Sequence, residues 1–400
     1  MNKSLTAFLF LCVAFAGELF PQAAIKASVI HTAAGKTINN GVILIKDGKI
    51  EKVGEEKDIT IPADYIVYSR KVVTPGLIDA RSSIGLSGIL NYAHDQDQLE
   101  KSDPVQPELR AIDAYNPREE LIEWIKKFGT TTVHTGHASG ALASGQTMIV
   151  KLGTAEKPVR IIDSALMVSF TLGSDVSSNF KKPGTRAKGV AMLRTEFLKA
   201  KEYLDKIKKG EKVNRDLKLE ALAQVLKGEL TALFTANKAP DILAAIRLQK
   251  EFGFRMVLDG VAEASLVMNE IKESRAPVIL HATMERQSGN SKSVAFDNAA
   301  LLDKEGVLFA IQSGFEGYVP KTRVVLFEAA VALAYGLPFD KALASITINA
   351  ARILGIDKQT GSIEPGKDAD IVLFDGDPFE YTTRVCEVFI DGIPVKQTCD

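Results

Sequence analysis

The chain has 400 residues, 46% of them hydrophobic and 25% charged. That is the composition of a folded globular protein, long enough for one large domain with a small companion or for two ordinary ones. Its 49 Lys and Arg face 50 Asp and Glu, a formal net charge of −1, which excludes a bulk electrostatic drive toward nucleic acid or an anionic membrane.

Lys3 followed by the apolar run from Leu5 to Ala16, ending in Ala14-Phe15-Ala16, predicts a cleaved export signal over 1–16, with cleavage as late as 24 as the outer bound. The run is shorter than the about 20 apolar residues of a membrane helix. A buried N-terminal helix is the alternative. No later stretch is long and apolar enough to span a bilayer, so the expected protein is periplasmic or secreted, with no membrane contact after cleavage. Cys12 belongs to the signal and leaves Cys386 and Cys399. An oxidising compartment can join such a pair. A two-residue turn at Asp391-Gly392 would set the two diagonally, which is long for a disulfide, so two buried thiols stay open.

Short β-rich runs over 25–31, 41–45 and 49–53, with turn signals between them, open the mature chain. Similar runs over 369–374, 385–390 and 394–397 close it. Residues 25–70 with 362–400 therefore predict a small β-sandwich built from both termini. Residues 71–361 read differently. Strands are expected over 72–78, 131–135, 148–152, 230–235, 254–258, 277–280 and 307–311, and helices over 241–252, 262–274 and 298–304. Such alternation is the pattern of parallel βαβ units. It predicts an α/β fold, a (β/α)8 TIM-like barrel. A doubly wound open sheet is the rival, but no Gly-rich dinucleotide loop opens the first unit. The segment 194–212 reads as a solvated amphipathic helix, and 90–116 as a cover over the barrel mouth.

Two segments carry a resemblance. Val73-Thr74-Pro75-Gly76-Leu77-Ile78-Asp79-Ala80 looks like the first barrel strand of the amidohydrolase superfamily. Gly361-Ser362-Ile363-Glu364-Pro365-Gly366-Lys367-Asp368-Ala369-Asp370-Ile371-Val372 looks like its return to the sandwich. Asp47-Gly48-Lys49-Ile50, Thr347-Ile348-Asn349-Ala350-Ala351 and Val388-Phe389-Ile390-Asp391-Gly392 fit as well. The chain most resembles the imidazolonepropionase-like, metal-dependent members. That resemblance implies a composite fold of barrel and sandwich. It also implies one or two divalent metals, usually zinc, that activate water against a C–N bond of a small substrate, and association as dimers or more.

The residues at the metal positions differ. The family's strand-one His-x-His, whose i and i+2 spacing aims both rings at one metal, falls here on Arg81 and Ser83. Arg81 has no lone pair to give. The strand-five histidine falls near Thr235 and Asn237, the strand-six histidine near Asp259, and the strand-eight aspartate near Gln312 and Ser313. No metal is therefore expected at the usual site, and zinc or another divalent ion only at a rebuilt one. His281, His137 and Asp259 are the candidate catalytic groups. Arg81, Ser83, Lys151, His134, Asn237 and Ser313 are the candidate ligand-binding groups, with Asp259 able to pair with Arg81. Three functions stay open. One is a hydrolase of C–N bonds. Another is a metal-free enzyme that uses His281 or His137 as acid or base. The third is a catalytically silent, metal-free barrel that binds an anionic ligand at a mouth made cationic by Arg81 and Lys151, or binds an active homologous subunit. A homo-oligomer or such a mixed oligomer is expected.

Overall fold

Both chain ends feed one sheet, in a computed structural model that describes residues 22–90, 92–154, 158–317, 321–395 and 399. The signal expected at 1–16 and Cys12 lie outside the described residues. The first strands are β1 (Ala23–Ile30), β2 (Ile38–Lys46), β3 (Lys49–Glu55) and β4 (Ile66–Pro75). The middle of the chain supplies β5 (Leu77–Ser82), β6 (Thr130–Thr135), β7 (Ala143–Lys151), β8 (Arg160–Thr171), β9 (Thr231–Ala236), β10 (Met256–Gly260), β11 (Val278–Leu280) and β12 (Phe309–Ile311). The end supplies β13 (Ile371–Phe374), β14 (Val385–Ile390) and β15 (Ile393–Val395).

The small sheet runs β15-β14-β13-β4-β1-β2-β3, so termini far apart in sequence share one ladder. Ile25, Ile43, Val73, Ile371, Leu373 and Phe389 fill its interior, the alternating apolar positions of strands with one buried face. Cys386 and Cys399 form a disulfide with Cα atoms 4.8 Å apart. Cys399 lies past the end of β15, so the diagonal placement assumed for a hairpin pair does not apply.

The large sheet runs β5 through β12 in order, and a bridge between Ser82 and Gly314 links its two ends into a nearly closed barrel. The all-parallel expectation needs one correction. β7 pairs antiparallel with both β6 and β8, while β5–β6 and β8 through β12 are parallel. Only residues 136–142 join β6 to β7, too few for the crossover that a parallel pair needs.

The domain boundary also moves. The predicted strand over 72–78 is two strands, with β4 ending in the small sheet and β5 opening the barrel. Gly76 is the break. Its N–H donates to Asp370 O at 2.8 Å. A Cβ there would lie 2.9 Å from Asp370 Cβ and closer still to the Thr131 side chain. Gly76→Ala is therefore expected to cost about 1–3 kcal/mol through overpacking, read as a lower denaturant midpoint at unchanged slope.

The helix Arg186–Lys208 starts earlier than expected, capped by the Thr185 side chain. It is amphipathic as expected, with one solvated face and an opposite face that buries Leu193, Phe197, Ala200 and Tyr203, the Phe197 and Phe254 ring centroids 5.2 Å apart. The segment 90–116 lies along β7, where Gln106 N donates to Ala143 O at 2.9 Å and Gln146 N to Leu109 O at 2.7 Å. It flanks the barrel, and none of its described residues lines the mouth cavity described below.

Candidate active site at the barrel mouth

The C-terminal ends of the parallel strands enclose a cavity lined by Arg81, Ser83, Thr235, Asn237, Asp259, His281, Glu285, Gln312, Ser313 and Arg323, among others. Its floor begins on the first strand. Asp79, Arg81 and Ser83 follow at two-residue spacing, which turns them to one side, and each is at least 95% buried. Asp79 Oδ1 accepts from Ser313 N at 3.1 Å and from Arg81 N at 3.2 Å, and Oδ2 accepts from Ser313 Oγ. Those bonds tie the first strand to the eighth. Burial pushes Asp79 up to about 6, and the Ser313 and Arg81 hydrogen bonds hold it from going further.

Arg81 is fixed in the wall. Its Nη2 donates to His137 O and to Ser169 Oγ at 3.3 Å, and its Nη1 to Ser82 O at 3.2 Å. Burial lowers its pKa, while attraction to Asp259 and Asp79 raises it; a guanidinium remains charged through such a balance. Asp259 faces it across the cavity without a direct ion pair between described residues. Both Asp259 oxygens are held, one by Gln312 Nε2 at 2.6 Å and the other by Thr235 Oγ1. Each oxygen keeps a second lone pair for a ligand.

The other expected residues fall in four places. Ser83, Asn237, His281 and Ser313 line the cavity with Arg81 and Asp259. His281 is engaged there, since Nδ1 donates to Ala282 O at 2.8 Å and Nε2 accepts from Asn298 Nδ2 at 2.9 Å. Burial brings its pKa down to about 4, so it is neutral at pH 7. His134 is not in the cavity. It is fully buried in the wall, its ring nitrogens taken by Ala80 O and Thr147 Oγ1, both at 2.7 Å, and burial with the Arg81 charge brings it to about 3. His137 reaches the site through its carbonyl. Its ring packs over Gly145 outside the cavity, without a well-formed hydrogen bond to either nitrogen, and burial lowers it to about 4.

Lys151 is at the opposite end of the barrel. The reversal of β7 carries its last residue to the base, against the small sheet. There Lys151 Nζ meets Asp391 Oδ1 at 2.7 Å, Asp370 Oδ2 at 2.8 Å and Asp368 Oδ2. The expectation of a cationic mouth fails with it. Asp175, Asp259, Glu285 and Glu316 line the cavity against Arg81 and Arg323, and Arg323 is paired with Glu316. The charge census does not favour an anionic ligand.

Asp79, which supports the cavity through Ser313 without lining it, and several lining residues carried little signal. Asp79 stood in a segment read for its turn, although its place two residues before Arg81 puts it on the same face. Glu285, Arg323 and Asp175 come from segments after strands, where no periodicity points inward.

Residues 109–396 match the Amidohydrolase family, well over half of the chain. The chain belongs to the amidohydrolase family. A solved amidohydrolase from Thermotoga maritima MSB8 is 30% identical, with a TM-score of 0.86, covering 94% of this chain and 100% of that one. Amidohydrolase tasK of Hapsidospora irregularis is 26% identical over 88% of this chain, which spans only 39% of that relative's length. An imidazolonepropionase of Picrophilus torridus is 24% identical over 90% of this chain and 93% of its own.

Amidohydrolases usually bind a divalent metal, and the mouth residues do not fit one. Arg81 presents N–H groups where a ligand lone pair is needed. Gln312 presents its amide N–H, not its oxygen, to Asp259. Both His281 nitrogens are in use. Among the described residues, the groups of three or more potential ligands are Asp368 with Asp370 and Asp391, and Asp375 with Cys386 and Cys399. Neither is at the mouth. The Lys151 ammonium is bound by the first, and the second has its sulfurs joined to each other.

Proposed function

We propose that the mouth cavity hydrolyses a carbon–nitrogen bond of a small substrate, using side chains of this chain. Membership in the amidohydrolase family supports a hydrolase. The observation that carries the finer reading is Asp259, a 4% exposed carboxylate at the end of β10 whose two oxygens are oriented by Thr235 and Gln312. In this reading Asp259 takes a proton from water as its oxygen attacks the substrate carbon. Arg81 and the Gln312 amide steady the negative charge that develops on the substrate oxygen. The C–N bond then breaks, and the leaving nitrogen takes the proton back from Asp259.

A panel of small amides, lactams, cyclic imides and N-acyl amino acids, followed by mass spectrometry, tests this. Turnover of at least one class, unchanged by a strong chelator, is the expected result. Binding of panel compounds without turnover of any would favour the second reading, a silent ligand-binding barrel. The specific observation behind that reading is Arg81 at the place of the first metal-ligand histidine. The Cys386–Cys399 disulfide supports export to an oxidising compartment.

A further inference from the structure

We infer that the Arg81 guanidinium is the resident cation of the barrel mouth, holding the charge position that a divalent metal has in other amidohydrolases, and that it keeps such a metal out. The inference goes beyond the proposed reaction, because it concerns what holds the mouth together with or without turnover.

Three observations carry it. Arg81 is built into the wall and not draped over it: three acceptors, Ser82 O, His137 O and Ser169 Oγ, hold its two Nη atoms, and it is 5% exposed. Its charge attracts two buried carboxylates, Asp259 in the cavity lining and Asp79, whose Oδ1 accepts from the Arg81 backbone N–H at 3.2 Å. An uncompensated buried carboxylate is strongly unfavourable, so a cation is required there; Arg323, the other cation that lines the cavity, is taken by Glu316, and Arg81 is the one whose charge acts on both carboxylates. Finally, Asp259 has both oxygens bonded to protons, from Gln312 and Thr235. A metal could reach only the remaining lone pair of either oxygen, and there it would stand beside a fixed positive charge, where repulsion between like charges in a dry cavity is large.

The test uses the full chain. The native protein and Asp259→Asn are dialysed against micromolar zinc, then manganese, and the metal per chain is measured after removal of free ion. The expected result is far less than one metal per chain in both, with a melting temperature that neither zinc nor chelator moves. One zinc per native chain that is lost in Asp259→Asn would overturn the inference. The charge role is read from Arg81→Met and Arg81→Lys. Arg81→Met is expected to lose several degrees of melting temperature or to fail to fold. Arg81→Lys, which keeps the charge without the planar fork, should recover part of that loss. A methionine variant as stable as the native chain, or a lysine variant no better than methionine, would reduce Arg81 to packing and overturn the inference. These readouts are separate from turnover, so a metal-free mouth that hydrolyses nothing would sink the proposed function alone.

Discussion

Replacing Lys151 with methionine is expected to remove about 3–5 kcal/mol of stability, the usual cost of breaking a buried ion pair from one side. The side chain is 1% exposed and its ammonium touches three carboxylates, of which Asp370 is fully buried. Methionine fills similar volume but leaves those carboxylates facing one another. Lys49 and the half-exposed Arg160, 3.3 Å from Asp368 and 3.4 Å from Asp391, compensate only from the solvent side. A native domain holds roughly 5–15 kcal/mol in total, so the loss is a large fraction. The cluster is also the clamp between barrel and small sheet. Asp370 holds Thr360 Oγ1 at 2.7 Å and Asp391 N at 3.0 Å, and its carbonyl holds Gly76 N at 2.8 Å. Denaturant unfolding measures the effect.

The pH dependence has a definite sign. Asp368 is pushed up by burial, but Lys151 and Lys49 together hold it below its ordinary 3.8. Its contribution is therefore present above that value and is lost as the pH falls through the depressed folded-state value. Lys151 is pulled down by burial, but Asp370, Asp368 and Asp391 hold it above its ordinary 10.5. Its contribution is full below 10.5 and is lost only as the pH climbs past the raised value. The gap between the native protein and Lys151→Met should thus be widest between about pH 4 and 10, and should close in acid.

Asp259→Asn is expected to lower the rate on any substrate of the mouth by about 10²–10⁴, the typical worth of a positioned general base. The change is isosteric and removes the proton acceptor. It also sets a second N–H₂ group near Gln312 Nε2 or Thr235 Oγ1, unless the Thr235 hydroxyl turns to accept. Asp259→Glu keeps the carboxylate but moves it by one methylene, and should fall between the two. A rate within tenfold of the native protein for Asp259→Asn, with the fold intact, would remove Asp259 from the mechanism.

The barrel could be read from the sequence because its strands are short apolar runs between turn residues, and because Pro75-Gly76-Leu77 and Glu364-Pro365-Gly366 mark the crossings between the two sheets. The direction of a strand is not written in that pattern. Every residue of β7 is buried, so burial does not distinguish its two ends, and the pattern alone sets Lys151 at the mouth although the strand carries it to the base. β8 escaped notice for a related reason. Its first half is partly exposed and mixed in polarity, and only its last residues are uniformly buried. At the site, Arg81, Ser83, Asp259, His281 and Ser313 were legible because the strand-end positions of a barrel converge. What each could do was not, since that depends on partners. His281 looks like a base until Ala282 O and Asn298 occupy it. His134 looks like a ligand until Ala80 O and Thr147 do the same.

In the proposal above, a fixed guanidinium and a proton-bonded carboxylate organise the mouth, with no divalent ion between them. Anomalous scattering at the zinc edge, from crystals of the native chain grown with zinc, tests it most directly. The expected result is no peak within bonding distance of Asp259 and an Arg81 guanidinium bonded to His137 O. A zinc peak at Asp259, with Arg81 swung away from His137, would contradict it.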